Sequence, residues 1–471
     1  MRTWSAERLA DAAGARLVRG VAAAGSARVD PDSSGPAPAP PVSSGPARAV
    51  IDSRAIEPGD LFVALPGSRV DGGTFAADAL TAGAWGVLVA PGWADALPPG
   101  GAILVAEDPL AALGALARSW RRELGAAVIA VTGSVGKTST KDLIAALIAP
   151  HRSVAASRAN FNTDIGMPLE ILAAPAGTEV LVLEAAMRAF GEIAALTAIC
   201  EPDVGVITNI GPVHLEQVGS LEGVARAKAE LLEGMRDGAT AVVPAGEALL
   251  EPYLRPALSV VRFGEGGDVV LAGDAIVANG ERLDLELPFT ARHQRINALA
   301  AVAAARAVAV QPSGRVEVRF GALRGERVTL AVGATVINDC YNASPLSMRA
   351  ALDELADHEP EGRRIAVLGD MLELGAEEER LHREIGAVAA EAGVDVLVTV
   401  GPRAAAMLDA FDGDSYAVAD AAEAAALTGE LIEAGDVVLV KASRGVGLEA
   451  VAEALVAADA SAAQPEGSRR G

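Results

Sequence analysis

Ala127–Val128–Ile129–Ala130–Val131–Thr132–Gly133–Ser134–Val135–Gly136–Lys137–Thr138–Ser139–Thr140 changes character twice along its length. Its first half is an apolar, β-branched run that reads as a strand buried in a parallel sheet. A glycine-containing turn follows, and Lys137–Thr138 opens a helical pattern through Leu143, Ile144, Leu147 and Ile148 that Pro150 closes. Strand, turn and helix start form a phosphate cradle: turn N–H groups and the positive helix end face the anion, and Lys137 adds a point charge. Thr138 is placed to offer a hydroxyl to Mg²⁺. The common spacing has Gly where Val131 stands, so this is the shorter Gly-x-x-Gly-Lys-Thr form. An ordinary βα turn is the alternative; the position between strand and helix favours a nucleotide.

The chain has 471 residues, which suggests about three domains. Apolar residues make up 51% but aromatics only 3%, so the cores must be Ala, Val and Leu packing. A net charge of −23 argues against nucleic acid or a polybasic membrane contact, which need clustered positive charge. Cys200 and Cys340 are the only cysteines and lack metal-ligand spacing, which fits a reducing compartment. Acidic Glu7 comes too early for a signal peptide and no long apolar run exists, so a soluble cytoplasmic protein without membrane insertion is expected. Only Lys137, Lys141, Lys228 and Lys441 are lysines among 39 basic residues. A lysine kept in so arginine-rich a chain points to work that only a compact charge or a primary amine performs. Lys141 is the expected exception, a chance survivor on the exposed side of its helix.

Along the chain, Ser5 reads as an N-cap, with Trp4 and Leu9 as a hydrophobic staple. Residues 31–46 form a Pro/Ser/Gly-rich loop. Short strands then alternate with helices up to residue 123. In the second unit Val180–Glu184 is an apolar strand ending in a carboxylate, and Asp203–Asn209 another, followed by His214–Leu215–Glu216. Ligands gather outside the carboxyl ends of such strands, which sets Glu184, Asn209 and His214 around the phosphates. A carboxylate there suits a nucleotide-bound Mg²⁺, although a solvated strand end is the plain alternative for Glu184. Lys228 falls on the apolar stripe 221, 224, 231, 235; it either snorkels to solvent or is a functional amine, and the scarcity of lysine favours the amine. Past a hinge at Gln311–Gly314, a third unit repeats the doubly wound pattern, with Asp339, Asp370 and Lys441 on one rim. Helix capping is the competing account of Asp370. The fold expected is α/β in three domains: a small α/β unit (1–123), a central P-loop doubly wound unit (124–312) and a Rossmann-like unit (313–471).

With these residues in view, the chain resembles the Mur ligase family over nearly its whole length. The motifs that carry the likeness are Asp52–Ser53–Arg54 with Gly59–Leu65, Thr132–Thr138, Asn160–Phe161–Asn162 with Ile165–Gly166, and Ile207–Thr208–Asn209 with His214–Leu215–Glu216. Ala227–Lys228, Asp339–Cys340–Tyr341–Asn342–Ala343 and Gly369–Asp370–Met371–Leu372–Glu373–Leu374–Gly375 complete the set, and the last two are the specific ones. They resemble the branch that adds D-alanyl-D-alanine and lack the signature of the branch adding the third peptide residue.

The resemblance implies an ATP-dependent amide-bond ligase of peptidoglycan synthesis, acting through an acyl phosphate on UDP-N-acetylmuramoyl-tripeptide and D-alanyl-D-alanine. It implies that residues 1–123 hold the UDP-sugar, the central unit ATP, and the third unit the incoming amine. By matching motif, Gly133, Ser134, Val135, Gly136, Lys137, Thr138 and Ser139 hold the phosphates, and Thr138 and Glu184 one Mg²⁺. His214 and Lys228 serve a second Mg²⁺, with Lys228 carbamylated by CO₂. Lys137, Lys228 and His214 are the implied catalytic groups. Asn297 meets adenine, Arg324 and Asp339 reach the γ-phosphate and ribose, Ser53 and Arg54 lie near uridine, and Asn160 and Asn162 touch substrate; a monomer is expected. Departures from the family pattern are Gly73, Thr163, Ala185–Ala186, Val243–Gly246, Gln294, Asn338 and Cys340. A folylpolyglutamate-type ligase lacks a comparable N-terminal unit, and a degenerate, non-enzymatic nucleotide binder would be expected to lose Glu184 or Lys228 first.

Overall fold

The structure, a computed structural model, describes residues 3–19, 45–158, 160–321, 323–358 and 360–462. All but the end of the 31–46 loop therefore lies outside the described residues. Three main sheets follow one another along the chain. In the first, Arg16–Arg19 runs antiparallel to Ala102–Val105, and Gly86–Val89, Leu61–Val63 and Ala49–Val50 continue in parallel. Ser5 does cap the helix Ala6–Ala13, its hydroxyl oxygen accepting from the Arg8 N–H at 3.2 Å. Trp4 lies buried against Trp120, ring centroids 5.6 Å apart. That contact matters because Trp120 sits on the helix Pro109–Leu124, which the N-terminal and central sheets share: residues of both sit in one apolar core.

The central sheet has nine strands, with Ala127–Thr132 flanked in parallel by Val180–Glu184 and Val204–Ile207. Val131 is level with both Glu184 and Val206, so the phosphate turn, the Glu184 carboxylate and Thr208–Asn209 emerge at one edge. Side chains of these strands are buried on both faces, as continuous apolar runs demand. The Ala-rich helix Arg292–Ala307 packs on the helix Lys137–Ile148, where small side chains let the backbones approach closely.

The third sheet orders Glu326–Thr329, Thr335–Asn338, Val437–Lys441, Arg364–Gly369, Val396–Val400 and Asp414–Val418, all parallel except the first. Its register sets Asp339, Asp370 and Lys441 on one rim, as expected. Asp370, however, is a cap: its carboxylate accepts from the Arg403 and Ala404 N–H groups at 3.0 and 2.7 Å. One departure from the family pattern has a packing reason. A side chain at Gly73 would meet the Trp93 indole at 2.2 Å, so the ring occupies the space of a larger residue.

Candidate active site

A cleft of about 2150 Å³ opens between the central and third sheets. The phosphate turn forms its floor. Gly133 has φ +146° and Gly136 φ +78°, and a Cβ on Gly133 would fall 1.9 Å from the Thr208 hydroxyl. Glycine is therefore obligatory there on two counts. Asn209 braces the turn, its Oδ1 accepting from the Val135 N–H at 2.9 Å and its Nδ2 donating to the Val135 carbonyl. Lys137 Nζ donates to the carbonyls of Gly133 and Ser134 at 2.9 and 3.3 Å. Burial pushes its ammonium below the usual range, and the Glu184 carboxylate opposes that shift. Asn297, nearly buried, lies against Gly136 from the neighbouring helix.

Glu184 is 2% exposed, which rules out the solvated strand end. The Thr138 hydroxyl donates to its Oε2 at 2.7 Å, Asn162 Nδ2 donates to its Oε1 at 2.8 Å, and its own N–H is held by the Ser157 hydroxyl. From the third domain, Arg324 Nη2 donates to the same Thr138 hydroxyl at 2.9 Å while its guanidinium stacks 3.8 Å from the Tyr341 ring centroid. A hydroxyl and a carboxylate side by side are hard oxygen donors of the kind Mg²⁺ takes.

Lys228 does not snorkel. It is 2% exposed on the helix Leu221–Gly234, and among the described residues its amine has no hydrogen bond or ion pair. Burial, with the Lys137 charge nearby, pushes it well below the ordinary ammonium range. An unpaired buried ammonium costs roughly several kcal/mol, which is the physical cause of that shift toward the neutral form. His214 sits beyond the turn with a left-handed backbone, φ +53°. Its Nδ1 meets the Glu373 carboxylate of the third domain, and burial lowers the ring while Glu373 opposes the shift. No group of three or more His, Cys, Asp or Glu placed to hold a metal ion by themselves exists among the described residues. The mixed set fits a metal pair only if Lys228 gains an acidic group, a reaction open to the neutral form of its amine that burial favours.

The structure also departs from expectation. Lys141 is 4% exposed, not on the open side of its helix: one turn after Lys137, its Nζ donates to the Ser157 carbonyl at 2.6 Å and pairs with Asp142 at 2.8 Å. It thus supports the residue that holds Glu184. The rarity of lysine was a signal that applied to it too, and the i,i+4 spacing from Lys137 placed it on the same face. Lys441 is buried and donates to Asp339 at 2.5 Å and to the Asn342 carbonyl, which fixes the Asp339–Asn342 loop at the cleft wall. Asn160, Asn162, Ser134, Val135, Ser139, Arg324 and Asp339 all line the cleft. Ser53 and Arg54 lie outside it, with Arg54 engaging Asp52 at 2.8 Å on the surface. Glu373 carried no local signal of a role, because its partner is 159 residues away.

Three family models match parts of the chain: "Mur ligase family, catalytic domain" over residues 49–121, "Mur ligase middle domain" over 131–305 and "Mur ligase, glutamate ligase domain" over 323–444. The UDP-N-acetylmuramoyl-tripeptide–D-alanyl-D-alanine ligase of Bacillus subtilis is 35% identical over 86% of this chain and 92% of its own. The Mycobacterium tuberculosis protein of the same name is 39% identical over 87% and 92%. Among solved structures, MurF of Acinetobacter baumannii superposes with TM-score 0.82 at 28% identity, covering 96% of this chain and 99% of that one. MurF of Thermotoga maritima in complex with ADP gives TM-score 0.77 at 29% identity, covering 88% and 98%. Sequence identity sustained across most of both partners, together with a shared three-domain architecture, places this chain in the Mur ligase family, on the branch of the UDP-N-acetylmuramoyl-tripeptide–D-alanyl-D-alanine ligases.

Proposed function

We propose that the protein joins D-alanyl-D-alanine to UDP-N-acetylmuramoyl-tripeptide with conversion of ATP to ADP, making the UDP-linked pentapeptide for peptidoglycan synthesis. The observation that carries this reading is the convergence on Thr138: the central domain brings Glu184 to its hydroxyl and the third domain brings Arg324. A carboxylate is a poor electrophile, so the γ-phosphoryl group first passes to the tripeptide carboxylate, forming an acyl phosphate. The dipeptide amine then attacks the acyl carbon, the C–N bond forms, and phosphate leaves with the bonding pair. Bringing a carboxylate to a polyphosphate sets like charges together. Lys137, the turn N–H groups and Arg324 offset that repulsion. Two Mg²⁺ ions, when bound, supply further positive charge. Thr138 and Glu184 hold one of them, and His214 and Lys228 the other.

For Lys228 to serve, its neutral amine adds to CO₂: a C–N bond forms, one proton leaves, and the carbamate carries a negative charge near His214. Arginine cannot do this, which accounts for a lysine on an apolar helix face. Asn297 serves the adenine, Asp339 the ribose, Asn160 and Asn162 the substrate, and Ser53 and Arg54 the uridine end within residues 1–123. Residues 124–312 bind ATP, and residues 313–471 close over it and bring the dipeptide, excluding water that would hydrolyse the acyl phosphate. A cytoplasmic monomer is the working form of this proposal; among the described residues no helix is long and apolar enough to cross a membrane. ADP release should require both substrates together. Turnover with a single amino acid but not with D-alanyl-D-alanine would overturn the assignment.

A further inference from the structure

Segment 209–216 is gripped from two sides. The phosphate turn holds one flank: the Ser134 N–H donates to the Asn209 carbonyl at 3.1 Å, and the Ser134 hydroxyl both donates to and accepts from Gly211. The third domain holds the other. Leu346 packs so tightly on Gly211 that a Cβ there would lie 2.1 Å from its Cδ1, and Leu215 packs against the third-domain core. The Glu216 N–H points to the Glu373 carbonyl at 3.4 Å, and the Glu373 carboxylate engages His214 Nδ1. Both ends of that last contact are in left-handed backbone, φ +53° at His214 and +65° at Glu373. Non-glycine residues adopt that conformation rarely, and surrounding structure must hold them in it.

We propose that Glu373 is a positioning residue which orients His214 from the opposite domain, so that the second metal is retained only when the third domain is in place. The inference rests on the reading of His214 as a metal ligand. A ligating imidazole needs its second nitrogen fixed by an acceptor, which sets the tautomer and aims the other nitrogen. Glu373 takes Nδ1, which leaves Nε2 for the ion; among the described residues Nε2 has no other partner. Here it belongs to the third domain, so seating that domain on the central one and completing the site are one event. Nucleotide loading then communicates with domain position through residues 209–216.

The test uses the full chain with a non-hydrolysable ATP analogue and Mn²⁺ followed by electron spin resonance. Glu373→Gln should weaken the second class of bound Mn²⁺ by about tenfold or more, the range typical for loss of an orienting partner. Glu373→Asp should recover part of the loss, while thermal midpoints stay close to the parent's. His214→Ala should weaken the same class, and the double variant should add little. By small-angle scattering, compaction should follow Mn²⁺ in the parent and cease to follow it in Glu373→Gln. Parent-like Mn²⁺ binding or metal-linked compaction in Glu373→Gln, with His214→Ala impaired, overturns this inference alone. No effect of His214→Ala overturns the ligand assignment beneath it as well.

Discussion

At the scale of single residues, two buried lysines differ in how their amines are used. Lys228 has no protein partner among the described residues, and burial shifts its amine toward the neutral form. Lys228→Met therefore removes no ion pair, and the variant should fold at least as stably as the parent. Its ligation rate should fall by about 100-fold or more, given that even a supporting group behind a metal ligand is worth roughly 10–100-fold. With ¹³C-bicarbonate the parent should show a carbamate resonance that the variant lacks; its absence from the parent would refute the carbamate. Lys141 has its amine engaged by the Ser157 carbonyl and Asp142. Lys141→Met leaves the buried Ser157 carbonyl without its donor and the half-buried Asp142 without its cation, a loss of about 1–3 kcal/mol. Denaturant titration should show a lower midpoint with unchanged slope, and an unchanged midpoint would mean water replaces the amine at no cost.

At the scale of elements, the helix Glu378–Glu391 carries a built-in pH response. His382 is fully buried; its Nε2 accepts from the Met371 N–H at 2.9 Å, and its Nδ1 donates to the Glu378 carbonyl at 2.7 Å. Both nitrogens are spoken for only in the neutral ring, and burial lowers its affinity for a proton. The sign follows from linkage. Above about pH 6.5 both folded and unfolded states are neutral and the group contributes nothing. As pH falls through about 6.5 the unfolded chain takes up the proton and the folded chain resists. Stability therefore declines until the depressed folded value is reached, by at most about 1.4 kcal/mol per pH unit. His214, His293 and His358, lowered chiefly by burial too, act in the same direction. Thermal midpoints should be lower at pH 5.5 than at pH 7.5, and His382→Gln should flatten that difference. An equal slope in the variant would assign the effect elsewhere.

At the scale of the whole molecule, the third domain supplies charge to the phosphate turn of the second. Arg324 reaches Thr138 across the cleft and is stiffened by its stack on Tyr341. Because it joins the site with the domain, it acts on the closed, reacting state more than on nucleotide capture. Arg324→Ala should lower kcat by roughly 10²-fold, the usual loss for one preorganised donor, with a much smaller change in ATP-analogue affinity. Arg324→Lys should not restore the rate, since an ammonium neither stacks nor offers a planar fork. Equal losses in affinity and kcat, measured by calorimetry and ADP release, would show that Arg324 serves binding alone.

The sequence by itself determined the three α/β units, the phosphate turn and the order of motifs, because strand runs, turn glycines and helix periods are encoded over short spans. It also singled out Glu184, His214 and Lys228, since residue type at a strand end or on an apolar face carries chemistry with it. Tertiary structure alone decided what each group touches. Lys141 turned inward because the loop at Ser157 lies above its helix, and Asp370 became a cap because a helix start folds onto its rim. Trp93 filled the place at Gly73, and Arg54 stayed outside the cleft. Glu373 met His214 only because two separately folded sheets face each other. Contacts between residues far apart in the chain depend on packing between whole elements, and no local pattern records them.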